Sequence, residues 1–115
     1  MLREFFLGFI QIHILHHAAQ APLYGAAMMA ELRRHGYEIS PGTLYPLLHS
    51  LEEQGYLASS RRVVGGRVRK YYAATKAGKQ ALDETLPKLR ELVDEVLAGR
   101  GPTSLPNPLN ESEEP

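Results

Sequence analysis

Four leucines constrain this chain more than any other feature. Leu44, Leu47, Leu48 and Leu51 recur at i, i+3, i+4 and i+7, the spacing of one helix face. Ser40 stands ahead of them as a good N-cap residue. Pro41 takes the first helical position, where its missing N–H costs nothing, and Gly55 supplies the stop. The buried side of this helix is expected to centre near Leu51. Its opposite side carries Gly42, Pro46, His49 and Glu53, with Thr43 and Ser50 on one flank and Tyr45 on the other. An ordinary solvated helix face would hold more Lys and Glu; this one is small and polar. Pro46 removes the bond to the carbonyl of Gly42, which predicts a distorted first turn.

A basic segment follows directly. Residues 56–62 and 67–74 read as two strands joined by Val63-Val64-Gly65-Gly66, whose glycines permit the positive φ of a hairpin turn. Residues 59–79 contain seven bases and no acid. The formal net charge of the whole chain is zero, but this is a cancellation. Residues 1–80 hold ten bases against five acids, and residues 81–115 hold three bases against eight acids. Edge strands carry Lys and Arg to prevent aggregation, yet that use predicts mixed signs. An acid-free hairpin points to a polyanion.

Three further helices frame these elements. Residues 2–19 form a first helix with Phe5, Phe6, Phe9, Ile10, Ile12, Ile14 and Leu15 over most of its circumference. Such a helix is covered on several sides, in a small domain usually by a second chain. Ala21-Pro22 ends it. A second helix spans residues 24–35, with Gly36 as its stop. Thr75 caps a last helix to about residue 98, where Leu82, Leu86, Leu89, Val93 and Val96 follow a 4-3-4-3 spacing. Pro87 falls inside it and predicts a kink. About 24 helical residues reach about 36 Å, more than a domain this small can cover, so the seam is read as a dimer contact. Residues 99–115, rich in Pro, Gly, Ser, Asn and Glu, read as a flexible acidic tail. The expected domains are a DNA-binding domain at 1–74, a dimerisation helix at 75–98 and the tail at 99–115.

Other function classes are poorly served. With no cysteine there is no disulfide framework, thiolate zinc site or cysteine nucleophile. No glycine-rich phosphate loop and no nucleophile paired with a base can be found, so no enzyme is expected. The greasy stretch of residues 5–15 is broken by Gln11 and His13 and falls short of the roughly 20 residues of a membrane span. A cytoplasmic protein without a membrane partner is expected. His13, His16 and His17 share one side of the first helix, and His13 and His17 have an i, i+4 spacing that suits a transition metal. Their neighbours are apolar, no carboxylate is close in sequence, and His35 and His49 are distant. No metal site or cofactor is assigned. The histidines are read as interfacial residues, with metal sensing through His13 and His17 as the alternative.

The order helix, helix, helix, hairpin, long helix is the plan of a winged helix-turn-helix, a mainly α (α+β) fold. The third helix would lie in a major groove. Arg61, Arg62, Arg67, Arg69 and Lys70 of the hairpin would neutralise phosphates. Arg67, beside the turn glycines, is the candidate for the minor groove.

The chain also resembles the PadR family of bacterial transcriptional regulators. Tyr24-Gly25 opens the second helix as in that family, and the third carries Ser40-Pro41-Gly42-Thr43-Leu44-Tyr45-Pro46-Leu47-Leu48. Leu51-Glu52-Glu53-Gln54-Gly55-Tyr56-Leu57 leads into the wing. Gly66-Arg67-Val68-Arg69-Lys70-Tyr71-Tyr72 and Thr75-Lys76-Ala77-Gly78 close it. The resemblance implies a homodimer built from the first and last helices, with Phe5, Phe9, Leu82, Leu86, Leu89, Val93 and Val96 in the contact. It implies a repressor of a palindromic double-stranded operator, released by a small-molecule or stress signal. It places Ser40, Gly42, Thr43, Tyr45 and His49 at the DNA beside the five wing bases. Two positions depart from the family: Val68 stands where wings often carry proline, and there is no tryptophan to stack on a flat effector. The competing reading is a winged-helix protein-interaction module with no DNA role.

Overall fold

The computed structural model describes residues 2–98. The elements run α1 (Leu2–Gln20), β1 (Leu23–Tyr24), α2 (Gly25–Arg34), α3 (Pro41–Glu53), β2 (Leu57–Val64), β3 (Arg67–Ala74) and α4 (Lys76–Ala98). This is the expected mainly α winged helix-turn-helix, with one addition. Leu23 and Tyr24 form a two-residue strand that pairs antiparallel with Tyr72 and Tyr71 of β3, giving the sheet order β1-β3-β2. A strand so short, right after Pro22, has no periodicity to announce it. The tail expected at 99–115 lies outside the described residues.

Both helix stops work through their glycines. Gly36 and Gly55 adopt φ values of 87° and 85°, open to glycine at little cost. Each lets the chain fold back on the helix it ends. The Tyr37 N–H reaches the Leu32 carbonyl at 3.0 Å and the Tyr56 N–H reaches that of Leu51 at 2.9 Å, the Schellman pattern. In the wing, Val64 pairs with Arg67, so the turn is only Gly65-Gly66, two residues shorter than expected. Both have positive φ, as a two-residue hairpin turn requires.

The core is one cluster. Leu44, Leu48 and Leu51 of α3 are buried against Ile10, Ile14, Leu15 and Ala18 of α1, Met28 and Leu32 of α2, and Leu57 and Tyr72 of the sheet. The leucine stripe therefore faces inward as its spacing predicts. Ser40, in contrast, does not cap α3 with its side chain. Its hydroxyl donates instead to that of Thr43 at 3.3 Å. α3 continues through Pro46 to Glu53 as one helix.

Contacts divide the chain after Leu82. The first unit thus extends past the sheet and takes in the start of α4. Thr75 caps that helix, its hydroxyl accepting the Gly78 N–H at 3.0 Å and donating to the Gly55 carbonyl at 2.5 Å. Leu82, assigned to the dimer seam from its spacing, is 8% exposed and belongs to the chain's own core. Two turns into α4, the spacing is still filling the core of the first unit. In the second unit, α4 runs on through Pro87 to Ala98. Leu86, Leu92, Val93, Val96 and Leu97 are exposed there, and Leu89 is half-buried. On α1, Phe5, Phe6 and Phe9 remain 55%, 48% and 41% exposed. No helix among the described residues is long and apolar enough to cross a membrane.

Candidate nucleic-acid interface

The outer face of α3 and the strand β3 enclose a groove of ≈ 500 Å³. Tyr45 and His49 line it from α3, Arg67, Arg69 and Lys70 from β3, Tyr24 from β1 and Gly25 from the start of α2. Five of the ten expected contact residues thus meet around one opening. Tyr45 owes its position to Gly25. A Cβ on Gly25 would stand 2.6 Å from two carbons of the tyrosine ring and collide with its hydroxyl. The missing side chain of Gly25 is what leaves room for the ring there.

The other α3 candidates are placed differently. Ser40 and Thr43 line a second cavity, of ≈ 580 Å³, with Phe6 and Ile10 of α1 and with Tyr37. Thr43 is half-buried there, while Ser40 and Gly42 are exposed at the start of the helix. They do not share the wing groove with Tyr45 and His49.

In the wing, the strand register sorts the bases by face. Arg62 pairs with Arg69 and Arg61 with Lys70. Side chains alternate along a strand, so Arg62, Arg67 and Arg69 share one face and Arg61 and Lys70 the other. On the first face the arginines lie on tyrosines. The Arg62 guanidinium sits 4.6 Å from the centroid of Tyr71, and that of Arg69 sits 4.4 Å from Tyr24. The two tyrosine rings meet edge-on at 5.4 Å. Cation–π contact holds each guanidinium without using up its N–H donors. The roles of Tyr24 and Tyr71 were missed in the sequence. The signal was the i, i+2 spacing of Arg69 and Tyr71, which sets them on one face.

Lys70 behaves otherwise. Its Nζ lies 3.6 Å from Glu52 Oε1. The Ser59 hydroxyl donates to the other carboxylate oxygen at 2.6 Å. The Ser59 hydrogen bond, then the Lys70 charge, hold this carboxyl below its ordinary range against some loss of hydration. The hairpin is acid-free in sequence, but α3 brings it a carboxylate. Among the described residues the four wing arginines have no ion pair, and they carry the wing's uncompensated charge.

The α1 histidines have polar neighbours that are distant in sequence. His13 stacks on His35 with centroids 4.7 Å apart, and the Nε2 of His17 lies 3.5 Å from the carboxylate of Glu31. Residues 22 and 14 positions apart meet because α1 packs against α2. Both the carboxylate and the third histidine, distant in sequence, are adjacent in space.

Residues 14–84 match the Transcriptional regulator PadR-like family. The chain is 52% identical over 103 residues to the transcriptional regulator Rv3488 of Mycobacterium tuberculosis, covering 90% of this chain and 96% of that protein. Its fold is similar to the crystal structure of a PadR family transcriptional regulator from Eggerthella lenta. There the TM-score is 0.74 at 38% identity, over 84% of this chain and 85% of the other. A PadR-like transcription factor from Bacteroides fragilis gives 0.72 at 27% identity, over 82% and 92% of the two chains.

Proposed function

Because this chain belongs to the PadR-like family of transcriptional regulators, we propose that it is a homodimeric, sequence-specific DNA-binding repressor. Its role is regulatory and not enzymatic. A palindromic operator is read by α3, the wing arginines hold the flanking backbone, and a small-molecule or stress signal releases the complex. The observation that carries this reading is the groove between α3 and β3. It joins a polar helix face to arginines that have no ion pair among the described residues. The exposed apolar side chains of α1, and separately those of α4, support a second copy as the partner. Apolar surface of that extent seldom stays open to water.

Tyr45 and His49 would meet base edges or phosphates from α3, and Arg67 would reach farthest from the hairpin tip. A mobility shift against the DNA upstream of its own gene, run as a salt series, tests the assignment. Affinity should fall steeply with salt, by about 0.9 log units per log unit of salt for each neutralised phosphate. Arg67→Ala and Arg69→Ala should each flatten that slope by about one and weaken all sequences alike. His49→Ala should change the preferred sequence and leave the slope in place. Binding that ignores salt, or no binding, overturns the reading.

Gly25→Ala separates the groove from the fold. The new methyl strikes the far end of the Tyr45 side chain, which can swing away. Alanine is also the better helix former, by about 1 kcal/mol. Thermal stability should therefore change little, while operator affinity falls about tenfold, a loss of about 1.4 kcal/mol. An unchanged affinity would remove Tyr45 from the interface.

A further inference from the structure

A cluster away from the wing groove lies where the second half of α1 meets the end of α2. His13 and His17 stand one turn apart on α1, with rings nearly parallel and centroids 6.1 Å apart. His35, the residue that ends α2, stacks on both, at 4.7 Å from His13 and 5.5 Å from His17. One ring nitrogen from each of the three lies within 4.8 Å of the other two. The Nε2 of His17 is buried without a hydrogen-bond partner. Glu31 presents Oε2 at 3.5 Å from that nitrogen and 3.8 Å from the Nε2 of His35. Its Oε1 accepts a hydrogen bond from Arg34 at 2.6 Å, which fixes the carboxylate. His16 is committed elsewhere, its Nε2 2.9 Å from the side-chain amide of Gln20.

We propose that His13, His17 and His35, with Glu31 as the oxygen donor, form a binding site for one divalent transition cation of the zinc class. Three imidazoles stacked this closely repel one another when protonated and leave a buried lone pair unused when neutral. A cation answers both problems. Loss of hydration and the neighbouring histidines hold His13 and His17 below the usual imidazole range, and for His17 the Glu31 charge only partly offsets this. A tetrahedral zinc site with bonds of about 2.0–2.1 Å sets its donors about 3.4 Å apart, so ring rotations that move each nitrogen by about an ångström close it. Three nitrogens and one oxygen suit zinc, cobalt, nickel or copper and discriminate against magnesium and calcium, which need more oxygens. The donor set comes entirely from side chains, as in sites that hold structure and not substrate. An ion here would tie α1 to the end of α2, and α2 leads through Tyr37 and Ile39 to α3. The site stands independently of the DNA reading, because its test measures the ion and not the operator.

The test titrates tag-free, metal-stripped full-length protein with Zn²⁺ and Co²⁺ at neutral pH, by calorimetry and by visible absorption. One ion per chain is expected, with the intense cobalt bands of four-coordinate geometry and a raised melting temperature in zinc. His35 has a side chain 40% exposed, so His35→Gln should fold while losing at least a hundredfold in zinc affinity and the cobalt bands. His13→Gln should do the same. Glu31→Gln, which replaces the charged oxygen ligand with a neutral one, should lose about tenfold or more in zinc affinity. His16→Gln should bind as the parent does, and a millimolar excess of magnesium should not compete. Absence of binding by the parent protein, full affinity in folded His35→Gln, or an equal loss in His16→Gln each overturns the site.

Discussion

Gly78→Ala is expected to lower the melting temperature by about 10–20 °C, the consequence of about 3 kcal/mol lost in a domain of this size. The reason is a backbone contact. A Cβ on Gly78 would collide with the carbonyl oxygen of Tyr56 and lie 3.0 Å and 3.2 Å from its carbonyl carbon and Cα. Unlike the tyrosine ring above Gly25, this obstacle cannot rotate away. The same carbonyl accepts the Thr75 N–H at 3.0 Å, and the Gly78 N–H is held by the Thr75 hydroxyl, itself bonded to the Gly55 carbonyl. Moving the first turn of α4 outward breaks this set together and draws Leu82 from the core. The helix-propensity gain of alanine, about 1 kcal/mol, is too small to offset it. Thermal denaturation followed by circular dichroism gives the answer. A melting temperature unchanged or raised would mean that the loop around Tyr56 yields, and that the junction is softer than its hydrogen bonds imply.

The contrast between these glycines bears on what the sequence disclosed. Tyr24-Gly25 and Thr75-Lys76-Ala77-Gly78 both stood out as motif fragments, but the sequence does not say what each glycine touches. The local features were legible: the leucine stripe of α3, the stops at Gly36 and Gly55, the Thr75 cap and the hairpin around Gly65-Gly66. Each depends on residues within a turn or two of one another. What escaped depends on residues that are distant in the chain. The strand Leu23–Tyr24 exists only because β3 pairs with it. Lys70 is drawn to Glu52 across 18 positions, which removes one base from an otherwise acid-free wing. Ser40 has the right chemistry for a cap, yet its hydroxyl turns to Thr43. His35 joins His13 and His17 through the packing of α1 on α2. The heptad spacing ran on into Leu82, although there the helix is still covered by its own domain. Periodicity shows which face of a helix is apolar, and leaves open which neighbour covers it.

Val93→Glu is expected to yield a monomer near 12.8 kDa in place of a dimer, and to weaken operator binding at least a hundredfold. Val93 is 41% exposed, between Leu86 at 46% and Val96 at 43%. None of the three belongs to the core cluster, so a charge at Val93 removes nothing that the first unit needs. Glutamate is a good helix former, so α4 should persist and the melting curve of the domain should change little. In the proposed dimer the substitution places two carboxylates in the apolar seam. Burying an unpaired charge costs several kcal/mol, enough to dissociate chains at micromolar concentration. A palindromic operator is held by two half-sites at once, and a monomer retains one α3 and one wing. Light scattering and a mobility shift on the same sample separate the links of this argument. Loss of both dimer and operator binding, with the fold intact, is the expected result. A Val93→Glu protein that stays dimeric would place the contact elsewhere, on α1. A folded monomer that binds the full operator as tightly as the parent would break the connection between dimerisation and recognition.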